Sequence, residues 1–306
     1  MLKSGLAEDL NRINRVFKIE QVLRDADRDL TLAYYKQSEF GYRNFHSQEG
    51  SIHLALNEDG IFNPDGYYAQ PRRVSQHLQT LQAKTVLEVG SGKGFNSIFL
   101  AKQHPEMQFT GVDRSAFHIS LSRKQARGLP NLTFQTGQFD QLNFADQSFD
   151  LVFAVECFCY ATALKASLAE VGRVLKPGGR FILFDGWRKP GFELQESALQ
   201  TATRLVEISM AVTAGFAVID EWITTAEQVG FRVLQRDNIC NLTMPNLLSL
   251  QTLSRRYFRL IWRANLIARL LPKYLVRNSI AGLLMPYTFN LDQGSLGYYY
   301  VVLERT

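Results

Sequence analysis

The chain has 306 residues, 46% of them hydrophobic, which is enough for the core of one large domain or of one domain with a cap. Its three cysteines (Cys157, Cys159 and Cys240) cannot form a paired disulfide framework, and no Cys or His pair has metal-ligand spacing. We therefore expect a reducing, cytoplasmic setting and no metal. The chain turns acidic before any long apolar run, and no uncharged apolar stretch reaches the roughly 18 residues that cross a bilayer, so neither a signal peptide nor a transmembrane helix is predicted.

Charge is distributed unevenly along the chain. Lys and Arg number 34 against 29 Asp and Glu, a net charge of +5, yet residues 241–290 contain no Asp or Glu at all. This basic stretch carries seven cations: Arg255, Arg256, Arg259, Arg263, Arg269, Lys273 and Arg277. Since seven exceeds five, the rest of the chain is slightly acidic.

Two kinds of pattern follow one another along the chain. Residues 1–82 are predicted to be helix and loop, with helical spacing over 22–35, a Gly-, Pro-, Asn- and Asp-rich loop over 57–71 and a helix over 73–82. From residue 85, strands and helices alternate. The predicted strands are 85–89, 108–112, 132–135, 149–155, 180–185, 231–236 and 298–304, and the predicted helices are 95–103, 116–127, 161–175 and 219–229.

The alternation predicts an α/β fold with a doubly wound, Rossmann-like, seven-stranded sheet whose ligand site lies at the carboxyl ends of the strands. No helix separates the loop 290–297 from the last strand, so that strand is expected at the sheet edge, antiparallel beside strand six. The connection before it is far longer than usual. We therefore divide the chain into a helical lid over 1–82 and a main domain over 83–306, with a basic helical insert at about 241–295.

The segment 86–94, VLEVGSGKG, ends the first predicted strand. Glycines directly after a buried strand let the chain turn tightly and let a ligand contact the backbone, next to the N-terminus of the following helix. Glu88 lies inside the apolar run, where an acid without a partner is costly, so it is expected to bind ligand. Lys93 is expected to face solvent.

Four motifs in residues 80–190 together resemble the class I S-adenosylmethionine-dependent methyltransferases. The glycine segment resembles the first motif of that family, and Asp113 lies 19 residues beyond Gly94, where a carboxylate meets ribose hydroxyls. Residues 149–152 (FDLV) resemble the strand-four motif, and residues 170–179 (EVGRVLKPGG) resemble the helix and turn that lead into strand five. The resemblance implies a Rossmann-like fold, methyl transfer and S-adenosylmethionine as the cofactor.

The resemblance also implies a cofactor site. The glycine segment would face the methionine part of the cofactor, Asp113 the ribose, and Val155 the sulfonium. Gln138 and Phe139 stand near the adenine, where the family more often has an acid followed by an apolar residue. The expected cofactor-binding residues are Tyr34, Tyr35, Glu88, Gly90, Ser91, Gly92, Asp113, Arg114, Gln138, Phe139 and Val155.

The N-terminal segment narrows the resemblance. Residues 34–43 (YYKQSEFGYR) are similar to the Tyr-rich segment of methyltransferases for small lipophilic molecules, the sterol and tocopherol enzymes being nearest, in which a tyrosine closes over the cofactor. Residues 155–160 (VECFCY) are weakly similar to the sterol enzymes' Ile-Glu-Ala-Thr segment, but the histidine that often follows there is absent. Glu156, Tyr35 and His53 are the expected catalytic residues, and the expected substrate contacts are Tyr42, Arg43, His46, Phe158, Tyr160 and Trp187.

Two acceptor chemistries stay open. An alkene that takes a methyl group becomes a carbocation, which aromatic faces stabilise and a carboxylate such as Glu156 can deprotonate; 12 Tyr and 21 Phe suit this chemistry. A hydroxyl or amine acceptor would need a base, for which His46, His53 or Glu156 could serve. The leading hypothesis is C-methylation of an isoprenoid, either a prenyl diphosphate or a sterol-like alkene. The alternative is O- or N-methylation of another small metabolite such as a phenol or quinone.

The basic stretch allows three roles: a lid helix with a solvated face, a membrane-surface helix over about 250–280, or a site for an anionic group such as a diphosphate. Spacing by four predicts that Arg255, Arg259 and Arg263 share one helix face. The expected partner is a lipophilic, in one variant anionic, small molecule; a homo-oligomer stays open.

Other function classes are less favoured. A nicotinamide oxidoreductase predicts a glycine strand near the chain start and a suitably placed Tyr-x-x-x-Lys pair, and an amino methyltransferase of nucleic acids predicts Asn-Pro-Pro-Tyr after strand four. Neither pattern is found, so no nucleic-acid partner is expected. A cofactor-binding protein without catalysis is a further alternative.

Overall fold

A computed structural model describes residues 2–25, 29–47 and 49–306. Within these residues the strands are β1 (Thr85–Val89), β2 (Gln108–Asp113), β3 (Leu132–Thr136), β4 (Phe149–Val155), β5 (Leu175–Arg188), β6 (Phe231–Asn238) and β7 (Leu296–Arg305). The α-helices are α1 (Leu2–Phe17), α2 (Ile19–Leu23), α3 (Thr31–Gly41), α4 (Ala69–Leu81), α5 (Phe95–Gln103), α6 (Ala116–Gln125), α7 (Leu164–Val174), α8 (Ser197–Ser209), α9 (Ile219–Gln228), α10 (Cys240–Phe258), α11 (Ile261–Leu270) and α12 (Lys273–Thr288).

The strands form one seven-stranded sheet in the order β3-β2-β1-β4-β5-β7-β6. All neighbours are parallel except β7, which is antiparallel to both β5 and β6. The predicted Rossmann-like sheet with an antiparallel last strand is therefore confirmed, but the expected edge position of that strand is wrong. Both faces of β7 are buried over most of its length, whereas exposed residues recur along β6. The strand that is apolar on both faces occupies the interior, and the half-polar strand forms the edge.

Element boundaries differ from the prediction where polar contacts decide them. The helix predicted over 22–35 is interrupted, since α2 ends at Leu23 and α3 begins at Thr31, while residues 26–28 lie outside the described residues. At the start of α3 the Thr31 N–H donates a hydrogen bond to the Asp29 carboxylate, at 3.2 Å. The helix α8 was not predicted.

Ion pairs to two buried carboxylates, Asp9 and Asp25, join the N-terminal segment to the helices between β6 and β7. The Asp25 carboxylate accepts hydrogen bonds from Lys273 Nζ, at 2.6 Å, and from the Arg277 guanidinium, and both Asp25 and Arg277 are buried. Burial alone would raise the pKa of Asp25, but these two cations hold it below its usual value. Asp9 likewise lies 3.6 Å from the Arg255 guanidinium. These pairs connect the N-terminal segment to the helices that lie between β6 and β7.

Asp25→Asn is expected to lower the free energy of unfolding by about 3 kcal/mol, because it leaves the buried Arg277 charge without a carboxylate. Asp65→Asn is the matched control, since the Asp65–Arg72 pair is largely exposed and contributes about 1 kcal/mol or less. Urea unfolding at pH 7 measures both. Equal losses in the two variants would contradict the structural role of Asp25.

Candidate active site

A cavity of about 380 Å³ lies at the carboxyl ends of β1, β2 and β4, where the topology places a ligand. We call it the polar cavity. The structure brings together in its lining seven of the residues expected to bind a cofactor: Tyr35, Gly90, Asp113, Arg114, Gln138, Phe139 and Val155. The helix α3 contributes Tyr35 and so covers the strand ends from the N-terminal side.

Gly90 forms a cradle in the wall of this cavity. Its φ is +70°, in the left-handed region, and a Cβ placed on it would lie 2.3 Å from Cys157 Sγ. Only glycine therefore fits between the ends of β1 and β4 without displacing the neighbouring strand end. The bare backbone left there can contact a ligand closely.

Asp113 is held with its carboxylate at the cavity. Oδ2 accepts a hydrogen bond from the Gly92 N–H (2.9 Å), and Oδ1 accepts one from the Ser115 N–H (2.8 Å). Each carboxylate oxygen has a further lone pair, so the fixed group can accept two more donors, such as a pair of adjacent hydroxyls. Arg114 lies beside it and pairs with Asp29 at 2.7 Å.

The structure does not bring Glu88 to the cavity lining. Its buried carboxylate accepts hydrogen bonds from Asn96 Nδ2 (3.0 Å), from the Ser97 N–H (3.2 Å) and from the Ser97 hydroxyl. Burial raises the pKa of Glu88 to about 7. Glu88 thus fastens the N-terminus of α5 behind the glycine segment. Ser91 and Gly92 also lie outside the lining, with the Gly92 N–H directed to Asp113.

A second cavity, of about 480 Å³, lies between the N-terminal segment and the helices α10 to α12. We call it the apolar cavity, since aliphatic and aromatic side chains dominate its wall. Four expected residues line it: Tyr34, Tyr42, His46 and Glu156. The residues contributed by α10 to α12 were not predicted, and they include Leu250, Leu253, Tyr257, Ile267, Leu275 and Met285.

Glu156 lines both cavities and is the one acid in the described lining of the apolar cavity. Its φ of +49° turns the chain out of β4. Oε1 accepts hydrogen bonds from the Leu54 N–H (2.7 Å) and the Tyr298 hydroxyl (2.8 Å), and no described residue donates to Oε2. Burial raises the pKa of Glu156 to about 8. A carboxyl group that can hold or accept a proton therefore stands where the two cavities meet.

Four tyrosines surround this junction. Tyr35 and Tyr160 line the polar cavity, and the Tyr35 hydroxyl donates to the Tyr160 hydroxyl over 3.2 Å. Tyr34 and Tyr42 line the apolar cavity with their hydroxyls 2.8 Å apart. Burial raises the pKa of all four phenols, so they stay neutral and present aromatic faces and hydroxyls rather than charge.

Four expected catalytic or substrate residues are not brought to either cavity. Arg43 is exposed, and Phe158 and Trp187 pack in the core, both against Trp222. His53 is buried, with Nε2 at 3.1 Å from Asn96 Oδ1 and Nδ1 at 3.1 Å from the Leu54 carbonyl, so its ring is occupied within the core.

Both histidines proposed as bases are poorly suited to that task. Burial lowers the pKa of His53 to about 4 and that of His46 to about 4. His46 lines the apolar cavity, but its Nε2 is 2.8 Å from the His53 carbonyl. Tyr298 is not among the expected site residues, because the sequence pattern around it predicts only a strand. In the structure its hydroxyl donates a hydrogen bond to Glu156.

In residues 2–25, 29–47 and 49–306, no three His, Cys, Asp or Glu side chains are arranged to hold a metal ion. Within the same ranges, every helix is too short or too polar to cross a bilayer.

Glu156→Gln is expected to stabilise the fold increasingly as the pH rises from about 5 to 8. In that window the folded protein keeps a proton on Glu156 that the unfolded chain releases, so wild-type stability falls as the pH rises. Glutamine keeps an acceptor for Leu54 and Tyr298 and has no proton to lose. Thermal unfolding at pH 5, 6, 7 and 8 measures the difference.

Glu170→Gln is the control of opposite sign, because hydrogen bonds from Arg173 lower the pKa of Glu170. Its ionised form stabilises the folded state at neutral pH, so this variant should be less stable than the wild type at pH 8. A stability gap between Glu156→Gln and the wild type that stays constant with pH would contradict the buried, proton-holding carboxyl.

Part of the chain is similar to known methyltransferases. Residues 81–228 match the family model described as a methyltransferase domain. Sterol 24-C-methyltransferase erg-4 of Neurospora crassa is 28% identical over 163 residues, which cover 52% of this chain and 42% of the relative. Phthiotriol/phenolphthiotriol dimycocerosates methyltransferase 1 of Mycobacterium ulcerans is 37% identical over 152 residues, 49% of this chain and 54% of the relative. The chain thus spans about half the length of these curated relatives.

Among solved structures, the cyclopropane synthase MmaA2 of Mycobacterium tuberculosis superposes with a TM-score of 0.74 at 14% identity, covering 90% of this chain and 97% of that one. This likeness shows the fold. The family match runs from the segment before β1 to α9 and includes every strand end around the polar cavity. Residues 81–228 are thus a methyltransferase domain, and S-adenosylmethionine is the cofactor of this domain.

Proposed function

We propose that the chain methylates an alkene carbon of a lipophilic, isoprenoid- or sterol-like molecule held in the apolar cavity. The observation that carries the proposal is the position of Glu156, whose carboxyl group lines both the cofactor side and the apolar side of the junction. An acceptor in one cavity and a cofactor in the other would meet at this group.

The residues of the polar cavity suit S-adenosylmethionine. Asp113, fixed by two backbone N–H groups, would accept the ribose hydroxyls, and the bare backbone at Gly90 would contact the methionine part. Phe139 packs on Phe158 with the ring centroids 5.0 Å apart, which gives a rigid apolar wall for the adenine. When bound, the cofactor supplies an electrophilic methyl group on a sulfonium.

The apolar cavity suits an acceptor that needs no strong base to attack. The π electrons of an alkene would form the new carbon–carbon bond as the sulfur–methyl bond breaks towards sulfur, leaving a cation on the neighbouring alkene carbon. The faces of Tyr34 and Tyr42 and the carboxyl of Glu156 are the groups present to stabilise that cation. A proton would then leave the adjacent carbon for Glu156, and its bonding pair would restore the double bond.

The raised pKa of Glu156 fits this role. Without a nearby cation, burial favours the neutral carboxyl, and a positive charge at the junction favours ionisation. The group would thus be charged when a cation is there to be stabilised. The two hydrogen bonds to Oε1 fix the carboxyl and leave Oε2 as the acceptor.

One of the relatives supports a lipophilic acceptor and carbon as the methylated atom. The name of the Neurospora crassa relative states C-methylation of a sterol, although the match covers under half of that protein. Hydroxyl methylation is the alternative, and Glu156 could also serve as its base. The carbon acceptor is favoured because both buried histidines are weak bases.

A mass-spectrometric screen tests the proposal. The protein is incubated with S-adenosylmethionine and a panel of sterols, prenyl diphosphates, quinones and phenols. We expect one CH₂ to be added to an alkene-containing isoprenoid, with the new carbon placed by NMR. Product only from a phenol or quinone, carrying a methyl ether, would refute C-methylation.

Glu156→Gln should reduce turnover at least about a hundredfold, because the amide cannot take the proton. Cofactor affinity, measured by calorimetry, should change less than about threefold. In the wild type, kcat/KM for the acceptor should fall about tenfold per pH unit below the pKa of the cofactor-bound Glu156, and the variant should lack this limb. Glu170→Gln serves as the control for a glutamate far from the junction. Unchanged turnover in Glu156→Gln with normal cofactor binding would refute the assigned role.

Asp113→Ala should weaken cofactor binding tenfold or more, about 1.4 kcal/mol, through the loss of charge-assisted hydrogen bonds to the ribose. Calorimetric titration with S-adenosylhomocysteine measures it. Asp220→Asn, an exposed acid on α9, is the control. Since Asp113 also holds Gly92, circular dichroism should show that the variant is folded; a folded variant with unchanged affinity would overturn the ribose assignment.

A further inference from the structure

We propose that α11, together with Arg259 and the aromatic pair Phe40 and Phe45, is a docking surface for an anionic lipid bilayer at the mouth of the apolar cavity. We call these residues the docking face. The entry of substrate from the bilayer rests on the proposed function. The docking of the protein on the bilayer does not.

The apolar part of the docking face is a stripe on α11. Trp262, Leu266 and Leu270 follow one another at intervals of four and are 68%, 49% and 73% exposed. Residues spaced in this way share one face of a helix. The opposite side of α11 packs inward through Ala264, which is fully buried. The ten-residue helix α11 is therefore packed against the protein on one side, and its three large apolar side chains are exposed to water on the other.

The helical register of the basic stretch differs from the prediction. Arg255, Arg259 and Arg263 do not share one helix face, because α10 ends at Phe258, Leu260 is extended and α11 starts at Ile261. The extended residue allows α11 to pack against α1 as well as α10 and α12. The exposed apolar stripe of α11 therefore does not continue a face of α10.

Pairing divides the seven cations of the basic stretch into two groups. Arg255, Lys273 and Arg277 pair with acids of the N-terminal helices. Among the described residues, no carboxylate lies within ion-pair distance of the other four, which are Arg256, Arg259, Arg263 and Arg269. Arg256, Arg259 and Arg269 are exposed; the first two precede the apolar stripe in sequence, and Arg269 lies within it, next to Leu270. The docking face is consequently cationic as well as apolar.

The docking face is continuous with the opening of the apolar cavity. Phe40 and Phe45 contact edge to face at 6.2 Å, are more than half exposed and also line the cavity. On the other side, Arg256, Arg263, Ile267 and Leu271 line the same cavity. A bilayer that contacts the stripe would therefore lie against the cavity mouth.

Charge and composition favour a lipid surface as the occupant. An interfacial helix combines an apolar face that enters the acyl boundary with cations that meet anionic headgroups, and tryptophan suits this interface. A second copy of this chain would bring the same four cations, which have no carboxylate partner among the described residues, to the contact and be repelled. An anionic bilayer complements both the stripe and the charge.

Tryptophan fluorescence tests the proposal on the unmodified protein. Of the three tryptophans, Trp187 and Trp222 are buried at 2% exposure each, so a change on docking reports Trp262. With vesicles of phosphatidylcholine and phosphatidylglycerol we expect a blue shift, quenching by brominated lipid and co-sedimentation that weakens as salt rises. Absence of binding to these vesicles, or equal binding to pure phosphatidylcholine at every salt concentration, would overturn the proposal.

Matched variants locate the contact. Arg259→Gln with Arg269→Gln should weaken vesicle binding about tenfold or more, whereas Lys102→Gln with Lys124→Gln, which removes the same charge from the exposed surface of α5 and α6, should change it less than twofold. Trp262→Ser with Leu270→Ser should also weaken binding, with the exposed Leu194→Ser as control.

Separate readouts distinguish this proposal from the proposed function. Turnover of detergent-dispersed substrate should be unchanged in Arg259→Gln with Arg269→Gln. Vesicle binding without any methylated product would refute the proposed function alone. Equal weakening by the docking-face and control charge variants, or self-association that buries Trp262 without lipid, would refute the docking face.

Discussion

The fixed position of the Glu156 carboxyl group is the constraint on which both cavities depend. Three distant parts of the chain meet there: the end of β4 supplies the glutamate, the N-terminal segment supplies the Leu54 N–H, and β7 supplies the Tyr298 hydroxyl. The placement of β7 inside the sheet, beside β5, is what brings Tyr298 to this point. The site therefore needs the complete sheet order as well as the lid. Desolvation raises the pKa of Glu156 to about 8, and this lowers the stability of the fold at neutral pH.

Ion pairs join the N-terminal segment to the rest of the chain. Asp25 joins the N-terminal helices to α12, and Glu39 of α3 pairs with Lys93 of the glycine segment at 3.2 Å. The second contact links the helix that carries Tyr34 and Tyr35 to the loop that carries Gly90. Movement of α3 would therefore disturb both cavities together, and the tyrosine cluster at their junction is held from the same helix.

Patterns of a few neighbouring residues predict much of the fold. Contacts between residues that are far apart in the sequence explain the parts that these patterns do not predict. The strands β1 to β4, the positive-φ glycines and Asp113 follow from runs of a few residues, and the structure confirms the sheet they build. Lys93 is predicted to face solvent, but it is buried and pairs with Glu39. No local pattern indicates this contact, because Glu39 lies 54 residues earlier in the chain. The prediction that the last strand forms the edge was wrong, since strand order depends on which strand buries both faces.

Within the site, patterns located the polar cavity better than the apolar one. Gly90 and Asp113 lie in a compact motif, whereas Glu156 and Tyr298 are 142 residues apart, and no spacing rule joins them. His53 has the residue type of a base, but its ring contacts Asn96 and the Leu54 carbonyl, so burial and hydrogen bonding remove it from the chemistry. Residue type indicated the candidates; packing decided which side chains reach the cavities.

The basic stretch shows how pairing gives one sequence feature two physical roles. A count of charges does not distinguish its seven cations, and their helical spacing predicts that three of them share one face. The acids at Asp9 and Asp25 divide them instead, since they neutralise the cations that hold the lid together and leave the others around α11. The break at Leu260 then turns the apolar stripe of α11 away from the α10 register. The N-terminal segment therefore both lines the apolar cavity, through α3, and pairs with three of the seven cations. A lipophilic molecule that leaves an anionic bilayer at this face would pass from the stripe to the tyrosines and Glu156 without crossing bulk water.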